Sequence, residues 1–404
     1  MKNKPELIRK LSLPVLIFYG IGTILGAGIY VLVGKVAGEA GFYTPFSFIL
    51  ASILAAFSAF SYAELAARFP RSAGEAIYIE EGFGIKSFSV AVGLMIVAVG
   101  IISTATLAHG FAGYFNVFFD FSEVWTVISL VLIIGLICSW GIGQSVWLAS
   151  VMTIVEIIGL IIILYVGRDA FLLIPEKTLE MLPPLDASIW AGIFMGSFIA
   201  FYAYLGFEDI VNVAEEVIKP KINIPLAIII SLIVTTVFYI LISVVAVLLI
   251  SEKELAASSA PLAMLYEVTT GKSPIVITVI SLISVVNGAL IQVIMASRVL
   301  YGMSRKKWLP RKVGEINAVT HTPLIATVII ILFVLAFSLL FPLLSLAKIT
   351  SFITLIIFMF INFALVKIKY SQRDYVGFTV PIAIPLIGGF STLLFIIYLS
   401  STLL

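Results

Sequence analysis

Long apolar segments separated by short polar connections run through most of the chain. The hydrocarbon core of a bilayer is about 30 Å thick and requires about 20 apolar residues per helix, which predicts about 11 spans here. The predicted spans lie near residues 14–37, 45–67, 87–116, 124–140, 145–167, 188–217, 225–250, 273–303, 323–341, 344–366 and 379–402. The connections are too short to fold separately. We therefore expect an all-α polytopic membrane protein with a single transmembrane domain over residues 1–404.

The basic residues of the connections predict the orientation of the chain in the membrane. With the N-terminus placed in the cytoplasm, 17 of the 24 Lys and Arg residues fall on the inner side and six on the outer side. This asymmetry predicts a multi-pass protein of the cytoplasmic membrane with a cytoplasmic N-terminus.

Composition supports a lipid environment and argues against several classes of function. The chain has 61% hydrophobic and 11% charged residues, whereas a soluble domain has about 25% charged residues. A net charge of +2 gives no reason to expect a nucleic-acid partner. Cys138 is the single cysteine, and the histidines are His109 and His321, so neither an internal disulfide nor a His-rich metal site is expected. We find no nucleophile–base constellation and no GxxxxGK[ST] motif, and we expect neither a cofactor nor enzymatic activity.

The first predicted span contains an unusual glycine-rich stretch, GIGTILGAG at 20–28. Each glycine costs close to 1 kcal/mol relative to alanine in a helix interior, so four within two turns weaken the helix. Tight packing through small residues is one interpretation. The other is an unwound segment at the middle of the membrane, which is tolerated where it faces protein or a wet cavity.

A second irregularity lies in the sixth span, FIAFYAYLGFEDIVNVAEE at 198–216. Gly206 interrupts an aromatic helix, and the carboxyl groups of Glu208 and Asp209 follow directly. Adjacent carboxyl groups at this depth are costly in lipid. We therefore expect the helix to break near Gly206 and its second half to turn toward water.

The two irregular spans are the first and the sixth, so they lie five spans apart, and this spacing has a topological consequence. A repeat with an odd number of spans re-enters the membrane from the opposite side, so residues 14–167 and 188–366 are predicted to be inverted repeats, with an extra helix at 379–402. A broken helix at the same place in each repeat indicates the binding site of a secondary transporter.

Helix ends at two such breaks would provide complementary binding groups. The helix that begins after Gly28 offers unpaired N–H groups and a positive dipole end to a carboxylate. The half-helices that end near Ile24 and near Leu205 offer carbonyl groups to an ammonium. A site with both features suits a zwitterion, of which an α-amino acid is the obvious example.

Four sequence motifs resemble those of the amino acid–polyamine–organocation (APC) superfamily. They are GAGI at 26–29, RSAGEAIYIEEGFG at 71–84, the sixth span with AEEVIKPKINIP at 214–225, and ASRVLYGMSRKKWLP at 296–310. In the third motif, Ile218–Lys219 stand where the family usually has Asn. The resemblance covers nearly the whole chain and implies a LeuT-like 5+5 inverted repeat with the first and sixth helices broken. It is closest to the basic amino acid/polyamine antiporter or general amino acid permease branches.

The same resemblance implies a set of substrate-binding residues. These are Ile24, Gly26, Ala27, Gly28, Tyr202 and Leu205 around the substrate backbone, with Gln292, Ser103 and Thr104 on the pocket wall. Ala27 departs from the serine common in the motif, which removes a hydroxyl but leaves the backbone amide. Tyr202 occupies the position of an aromatic gate. The uncharged wall favours a neutral amino acid over a basic one.

Two acidic residues are candidates for coupling or gating. Glu156, in the fifth span, stands where proton-coupled relatives often have a lysine. It either loads and releases a proton or serves as a hydrogen-bonded structural residue. Glu208 resembles a family acid after the sixth-span break, for which we favour gating or a proton-linked role over capping. We expect His109 to be a packed, hydrogen-bonded residue.

The sequence therefore favours a secondary amino acid transporter, coupled to protons or working as an exchanger, with sodium as the alternative ion. A channel would not need two broken helices in inverted positions. A membrane sensor that binds amino acids without transporting them stays open as an alternative.

Overall fold

The structure is a computed structural model. It describes residue 9 and residues 11–403 apart from 27, 72–73, 141–144, 318–319, 321 and 373. Regular structure within these residues is helical, together with one isolated parallel bridge between Leu11 and Val217. The predicted all-α class is confirmed for this part of the chain.

The α-helices follow the predicted spans closely. Their bounds are α1 Leu13–Leu25, α2 Gly28–Ala40, α3 Thr44–Arg68, α4 Gly74–Phe83, α5 Lys86–Phe115, α6 Glu123–Trp140, α7 Ser145–Val166, α8 Ile174–Met181, α9 Ala187–Ala203, α10 Asp209–Asn212, α11 Pro220–Leu249, α12 Glu252–Ala257, α13 Pro261–Thr270, α14 Ile275–Arg305, α15 Leu324–Leu340, α16 Leu343–Ser371 and α17 Ala383–Leu403. Short 3₁₀ turns lie at Gly41–Tyr43, Arg168–Leu173, Ala214–Glu216 and Arg311–Gly314.

Length and composition identify helices that can cross a membrane. Seven described segments qualify: Leu13–Arg68, Lys86–Phe115, Ala149–Val166, Pro220–Leu249, Ile275–Arg305, Leu343–Ser371 and Ala383–Ser401. The first of these contains two of the predicted spans. Three further apolar helices are shorter, at Glu123–Ser139, Ala187–Ala203 and Leu324–Leu340, and coincide with three other predicted spans. The chain is thus an integral, multi-pass membrane protein, and the number of 11 crossings stays a prediction.

The irregular helices lie at the centre of the molecule. All residues of α1 from Gly20 to Leu25 are buried, and so are all residues of α9 from Gly196 to Ala203. Around them, α5 packs against α14, and α3 packs against α11. By contrast, α7 and α17 expose apolar side chains such as Ile158 and Leu394 on their outer faces. This arrangement places both glycine-rich breaks inside protein rather than against lipid.

Local interactions determine where the second irregular helix begins. Asp186 is the N-cap of α9, and its Oδ1 accepts hydrogen bonds from the backbone N–H groups of Ser188 and Ile189 at 2.8 and 3.2 Å. Such a cap satisfies donors that have no partner within the helix. The Ser188 hydroxyl, together with these N–H groups, holds the pKa of the Asp186 carboxyl below its usual value.

Candidate functional site

Both irregular helices end where their glycines predicted a break. The helix α1 ends at Leu25, and α2 begins at Gly28. Gly26 still donates its N–H to the Gly22 carbonyl at 3.0 Å. Ala27, a predicted binding residue, lies outside the described residues. The helix α9 ends at Ala203, and α10 begins only at Asp209, so the second break is the wider one.

The two breaks pack against one another through their glycines. A Cβ at Gly28 would overlap Cα and Cβ of Ala203 at the end of α9. A Cβ at Gly206 would lie only 2.7 Å from the carbonyl carbon and oxygen of Thr23 in α1. Gly206 also has φ of +128°, a conformation that other residues rarely adopt. Each break therefore requires a glycine because the other backbone approaches so closely.

Two hydroxyl groups from elsewhere in the chain bind the free carbonyls of these breaks. The Tyr239 hydroxyl lies 2.5 Å from the Ile24 carbonyl oxygen and 2.8 Å from that of Ala203, so its proton is shared between both broken helices. The Ser284 hydroxyl donates to the Gly26 carbonyl at 2.7 Å. The last carbonyls of a helix have no partner within it, and these side chains supply one. Each carbonyl oxygen keeps a second lone pair for a ligand.

A small cavity of about 20 Å³ lies beside the two breaks. It is lined by Thr23, Ile24, Gly28, Ser103, Leu107, Tyr202, Leu205, Gly288 and Gln292. A volume of this size has room for about one water molecule. The site is therefore closed in this conformation, and an amino acid can enter only if the surrounding helices move apart.

Most of the predicted binding residues meet at this cavity. Those that line it are Ile24, Gly28, Ser103, Tyr202, Leu205 and Gln292. Gly26 instead packs behind it, where a Cβ would lie 3.2 Å from Cα of Gly288. Thr104 donates its hydroxyl to the Gly100 carbonyl at 2.7 Å and does not line the cavity. Neighbouring residues of a helix point about 100° apart, and in α5 the cavity is lined by Ser103 and Leu107.

Sequence reasoning missed three residues of the cavity wall and both hydroxyls that bind the breaks. The missed wall residues are Thr23, Leu107 and Gly288. Gly288 belongs to α14, one turn before Gln292, so helical spacing from Gln292 could have identified it. Tyr239 and Ser284 carry no local signal, because their partners lie far away in the sequence.

One contact closes the cavity between α5 and α9. The hydroxyl of Tyr202 lies 2.8 Å from the Ser103 hydroxyl, and either can donate. Both side chains are buried. The Tyr202 hydroxyl also donates to the Ser103 backbone carbonyl at 3.2 Å. Tyr202 can therefore move aside by breaking these hydrogen bonds to Ser103, while the hydrogen bonds between backbone groups stay intact.

The carboxyl groups of the second break accept hydrogen bonds from uncharged donors. Glu208 accepts the Gly206 N–H at 2.9 Å, and Asp209 accepts the Gln292 side-chain amide at 3.0 Å. Both residues are buried. No Lys, Arg or His of the described chain forms an ion pair with either of them. Gln292 thus connects the cavity wall directly to an acidic group.

Glu156 lies against the first broken helix. Its carboxyl group is fully buried, and Oε1 accepts the Asn287 amide at 2.9 Å. Its Oε2 has no hydrogen-bond partner among the described residues. A Cβ at Gly22 of α1 would lie 3.2 Å from the same Asn287 amide nitrogen and would overlap Thr153. The carboxyl group therefore lies where α1 packs on α7 and α14.

Two other polar groups, His109 and Glu64, lie away from the cavity. His109 contacts Glu123 Oε1 at 2.6 Å through Nδ1 and the Ser338 carbonyl at 2.9 Å through Nε2, beside a separate cavity of about 620 Å³. Glu64 is paired with both Arg68 and Lys369 at 2.7 Å. Neither residue lines the smaller cavity.

Comparison with known proteins agrees with this architecture. A family model described as "Amino acid permease" matches residues 11–403. The chain is 25% identical to the branched-chain amino acid permease BcaP of Bacillus subtilis, over 97% of this chain and 87% of that protein. It is 31% identical to the vacuolar cationic amino acid transporter 4 of Arabidopsis thaliana, over 91% of this chain and 64% of that protein. BcaP of Lactococcus lactis is 26% identical over 87% of this chain and 80% of that protein. The chain thus spans somewhat less than two thirds of the plant relative.

Proposed function

The chain belongs to the amino acid permease family, and from this premise we propose that it is a secondary transporter that moves amino acids by alternating access. Its family and relatives are transporters rather than enzymes. The observation that carries the proposal is the pair of broken helices, α1–α2 and α9–α10, packed against each other beside a closed cavity.

In the proposed architecture, residues 14–167 and 188–366 form a LeuT-like 5+5 inverted repeat, followed by the extra helix at 379–402. The whole of residues 1–404 acts as one transmembrane domain. The protein lies in the cytoplasmic membrane with its N-terminus in the cytoplasm, as the distribution of Lys and Arg favours. Paired breaks at equivalent places in two repeats support this arrangement.

The proposed site holds the substrate backbone at the two breaks. The carboxylate approaches the N–H groups at Ala27 and Gly28, where α2 begins with a positive dipole end. The Gly26 N–H joins them only when its hydrogen bond to the Gly22 carbonyl opens. The ammonium approaches the carbonyls near Ile24 and Leu205, whose second lone pairs stay available. Tyr202 closes the site, with Ser103 beside it. Thr104 can line the substrate pocket, as the sequence predicted, only if helix α5 rotates during the transport cycle.

A neutral amino acid is the proposed substrate class. All nine residues that line the cavity are uncharged, and Leu107, Leu205 and Ile24 give it an apolar wall. One relative is described as a branched-chain permease and another as a cationic amino acid transporter. The apolar wall fits the first description better.

We propose protons as the coupling ions, with Glu156 as the main coupling residue and Glu208 as a gating residue. A buried carboxyl with one amide donor and no cation partner can bind a proton without losing an ion pair. Sodium is the alternative, but it prefers several oxygen ligands, and the α1 residues opposite Glu156 are apolar. Exchange of one amino acid for another, without a net ion flux, is the second candidate mode.

The experiment that tests the site uses the purified protein in a thermal-shift assay with leucine, lysine and their decarboxylated amines. A ligand that binds the folded state raises its stability by mass action. We expect leucine to raise the melting temperature and its amine to have no effect, because the amine lacks the carboxylate. An amine that stabilises the protein as much as leucine does would refute the proposed carboxylate contact.

A matched pair of variants localises the binding. Gly28→Val should abolish the leucine shift, because a Cβ there overlaps Ala203. Ala91→Val is the control, since Ala91 is an exposed residue of α5. Time-dependent uptake of radiolabelled leucine into proteoliposomes then separates a transporter from a sensor, which would bind leucine without accumulating it.

A further inference from the structure

A second buried polar region lies behind the second break, where α3, α4 and α10 meet. We call it the α4 polar cluster, and it consists of Tyr62, Glu75, Tyr78, Glu208, Asp209 and Asn212. All six residues are buried, with Tyr62 and Tyr78 fully inaccessible and Glu75 only 1% exposed. None of Tyr62, Glu75, Tyr78 and Asn212 lines the closed cavity or was identified as a candidate from the sequence.

Close packing joins the start of α4 to the second break. A Cβ at Gly74, the residue before Glu75, would lie 2.7 Å from Val211 of α10 and 2.8 Å from the Tyr78 hydroxyl. The ring of Tyr62 contacts Tyr78 at 6.3 Å and Phe207 of the break at 5.7 Å between centroids. The first turn of α4 therefore packs directly against the segment that carries Glu208 and Asp209.

Several polar atoms of this cluster have no hydrogen-bond partner among the described residues. They are Glu75 Oε2, the hydroxyls of Tyr62 and Tyr78, and both side-chain atoms of the Asn212 amide. The Asn212 amide faces the Glu75 carboxyl. Buried polar groups are nearly always hydrogen-bonded, and an unpartnered group calls for an explanation such as water or an ion. Donors and acceptors gathered in this way suit a few water molecules and a mobile proton.

The charges of the cluster support the same conclusion. The carboxyls of Glu75, Glu208 and Asp209 lie within electrostatic range of one another and of Tyr62. An uncompensated charge buried in protein is strongly destabilising, and a proton shared among these carboxyls would reduce that cost. Five basic groups of the surrounding elements have other partners: Arg68 and Lys369 with Glu64, Arg298 with Glu216, Lys306 with Glu80, and Lys367 with the ring of Phe83. Arg71, four positions before Glu75, is exposed. Tyr19 of α1 is the other titratable group near Asp209.

We propose that Glu75 is a proton-relay residue of the transport cycle, which passes the coupling proton between the carboxyls of the second break and the cytoplasmic side of α4. In this step an O–H bond of Glu208 or Asp209 breaks, water carries the proton, and a carboxylate oxygen of Glu75 forms the new O–H bond. The orientation follows from the predicted inner location of the connection that contains α4. This inference rests on the proposed proton coupling and adds a residue to it.

The test compares Glu75→Gln with Glu81→Gln in the full-length protein. Glu81 lies on the same helix but is exposed, so it serves as the matched control. Each protein is reconstituted into liposomes, and leucine accumulation is measured under an imposed pH gradient, alongside exchange of internal for external leucine without a gradient. A fixed neutral amide at residue 75 should leave exchange intact. It should lower pH-driven accumulation by at least about tenfold, because positioned proton-transfer groups contribute about 10²–10⁴-fold in rate.

The results of this assay distinguish failure of the Glu75 relay from failure of the proposed proton-coupled transport. Full pH-driven accumulation by Glu75→Gln, with wild-type accumulation present, would overturn the relay and leave proton coupling in place. Absence of pH-driven accumulation in the wild type would overturn both. If Glu75→Gln loses exchange as well, the variant Glu75→Asp distinguishes loss of the relay from damage to the fold. It keeps the acid on a shorter side chain, and it should slow accumulation several-fold with exchange unchanged. Loss of exchange by Glu75→Asp as well would contradict the relay, because a variant that retains the carboxyl group would then fail for structural reasons.

Discussion

Two fully buried glutamates, Glu64 of α3 and Glu156 of α7, have opposite surroundings. Glu64 Oε1 accepts two hydrogen bonds from Arg68 at 2.7 and 2.9 Å, and Lys369 lies 2.7 Å from Oε2. Oε2 also accepts the backbone N–H of Val380 at 2.8 Å. Glu156 receives one amide hydrogen bond, from Asn287, and Oε2 has no partner among the described residues.

The difference indicates two different roles for buried acid groups in one membrane protein. The charge on Glu64 is fixed by two cations and a backbone donor, so it joins α3 to α16 and to the segment before α17. Among the described residues no cation forms an ion pair with Glu156, so a proton can bind and leave without breaking one. Asp209 resembles Glu156, because its described donor is the single neutral amide of Gln292.

The largest expected effect comes from breaking the ion cluster of Glu64. Glu64→Gln leaves the buried Arg68 and Lys369 charges without a carboxylate, and removing one partner of a buried pair costs about 3–5 kcal/mol. We expect the free energy of unfolding in detergent to fall by this amount. The exposed control Glu81→Gln should change it by less than about 0.5 kcal/mol. Equal stabilities of the two variants would show that the Glu64 cluster is not structural.

A smaller effect is expected at Asp209. Gln292→Leu removes the amide that donates to Asp209 Oδ2, and a buried acceptor left without a donor costs about 1–3 kcal/mol. The control is Gln372→Leu, because the Gln372 side chain is exposed. Chemical or thermal unfolding of the two variants measures the difference. A stability loss of 3 kcal/mol or more would contradict the account, because it would place Asp209 in the same class as Glu64.

The smallest expected effect on stability is at Glu156. Glu156→Gln keeps an oxygen for the Asn287 amide and breaks no ion pair, so the free energy of unfolding should change by less than about 1 kcal/mol. This result, set against that of Glu64→Gln, would sharpen the contrast between the two glutamates. A large destabilisation would instead reveal that Glu156 is an essential charge of the fold.

The sequence predicted the helical class and the positions of both breaks, because these features have local causes. Four glycines between 20 and 28 weaken α1, and Gly206 followed by Glu208 and Asp209 marks the end of α9. Helix ends at Leu25 and Ala203 coincide with those signals. The positions of Gln292 and Tyr202 on the cavity came from the family resemblance rather than from periodicity.

Contacts between distant residues could not be predicted in the same way. Tyr239 reaches the Ile24 carbonyl across 215 positions, and Ser284 reaches Gly26 across 258. No local pattern marks a tyrosine or serine in an apolar helix as the partner of a free carbonyl. The unpartnered atoms around Glu75 could not be predicted from the sequence either, because they depend on how α4 packs against α10.

The central claim is that the chain accumulates an amino acid using a proton gradient and that Glu156 couples the two. The measurement that tests it most directly is leucine uptake into proteoliposomes under an imposed pH gradient, without and then with sodium, for the wild type and Glu156→Gln. The account predicts concentrative uptake by the wild type without sodium. It predicts that Glu156→Gln exchanges leucine but does not accumulate it. Undiminished pH-driven accumulation by Glu156→Gln, or a strict sodium requirement in the wild type, would contradict the claim.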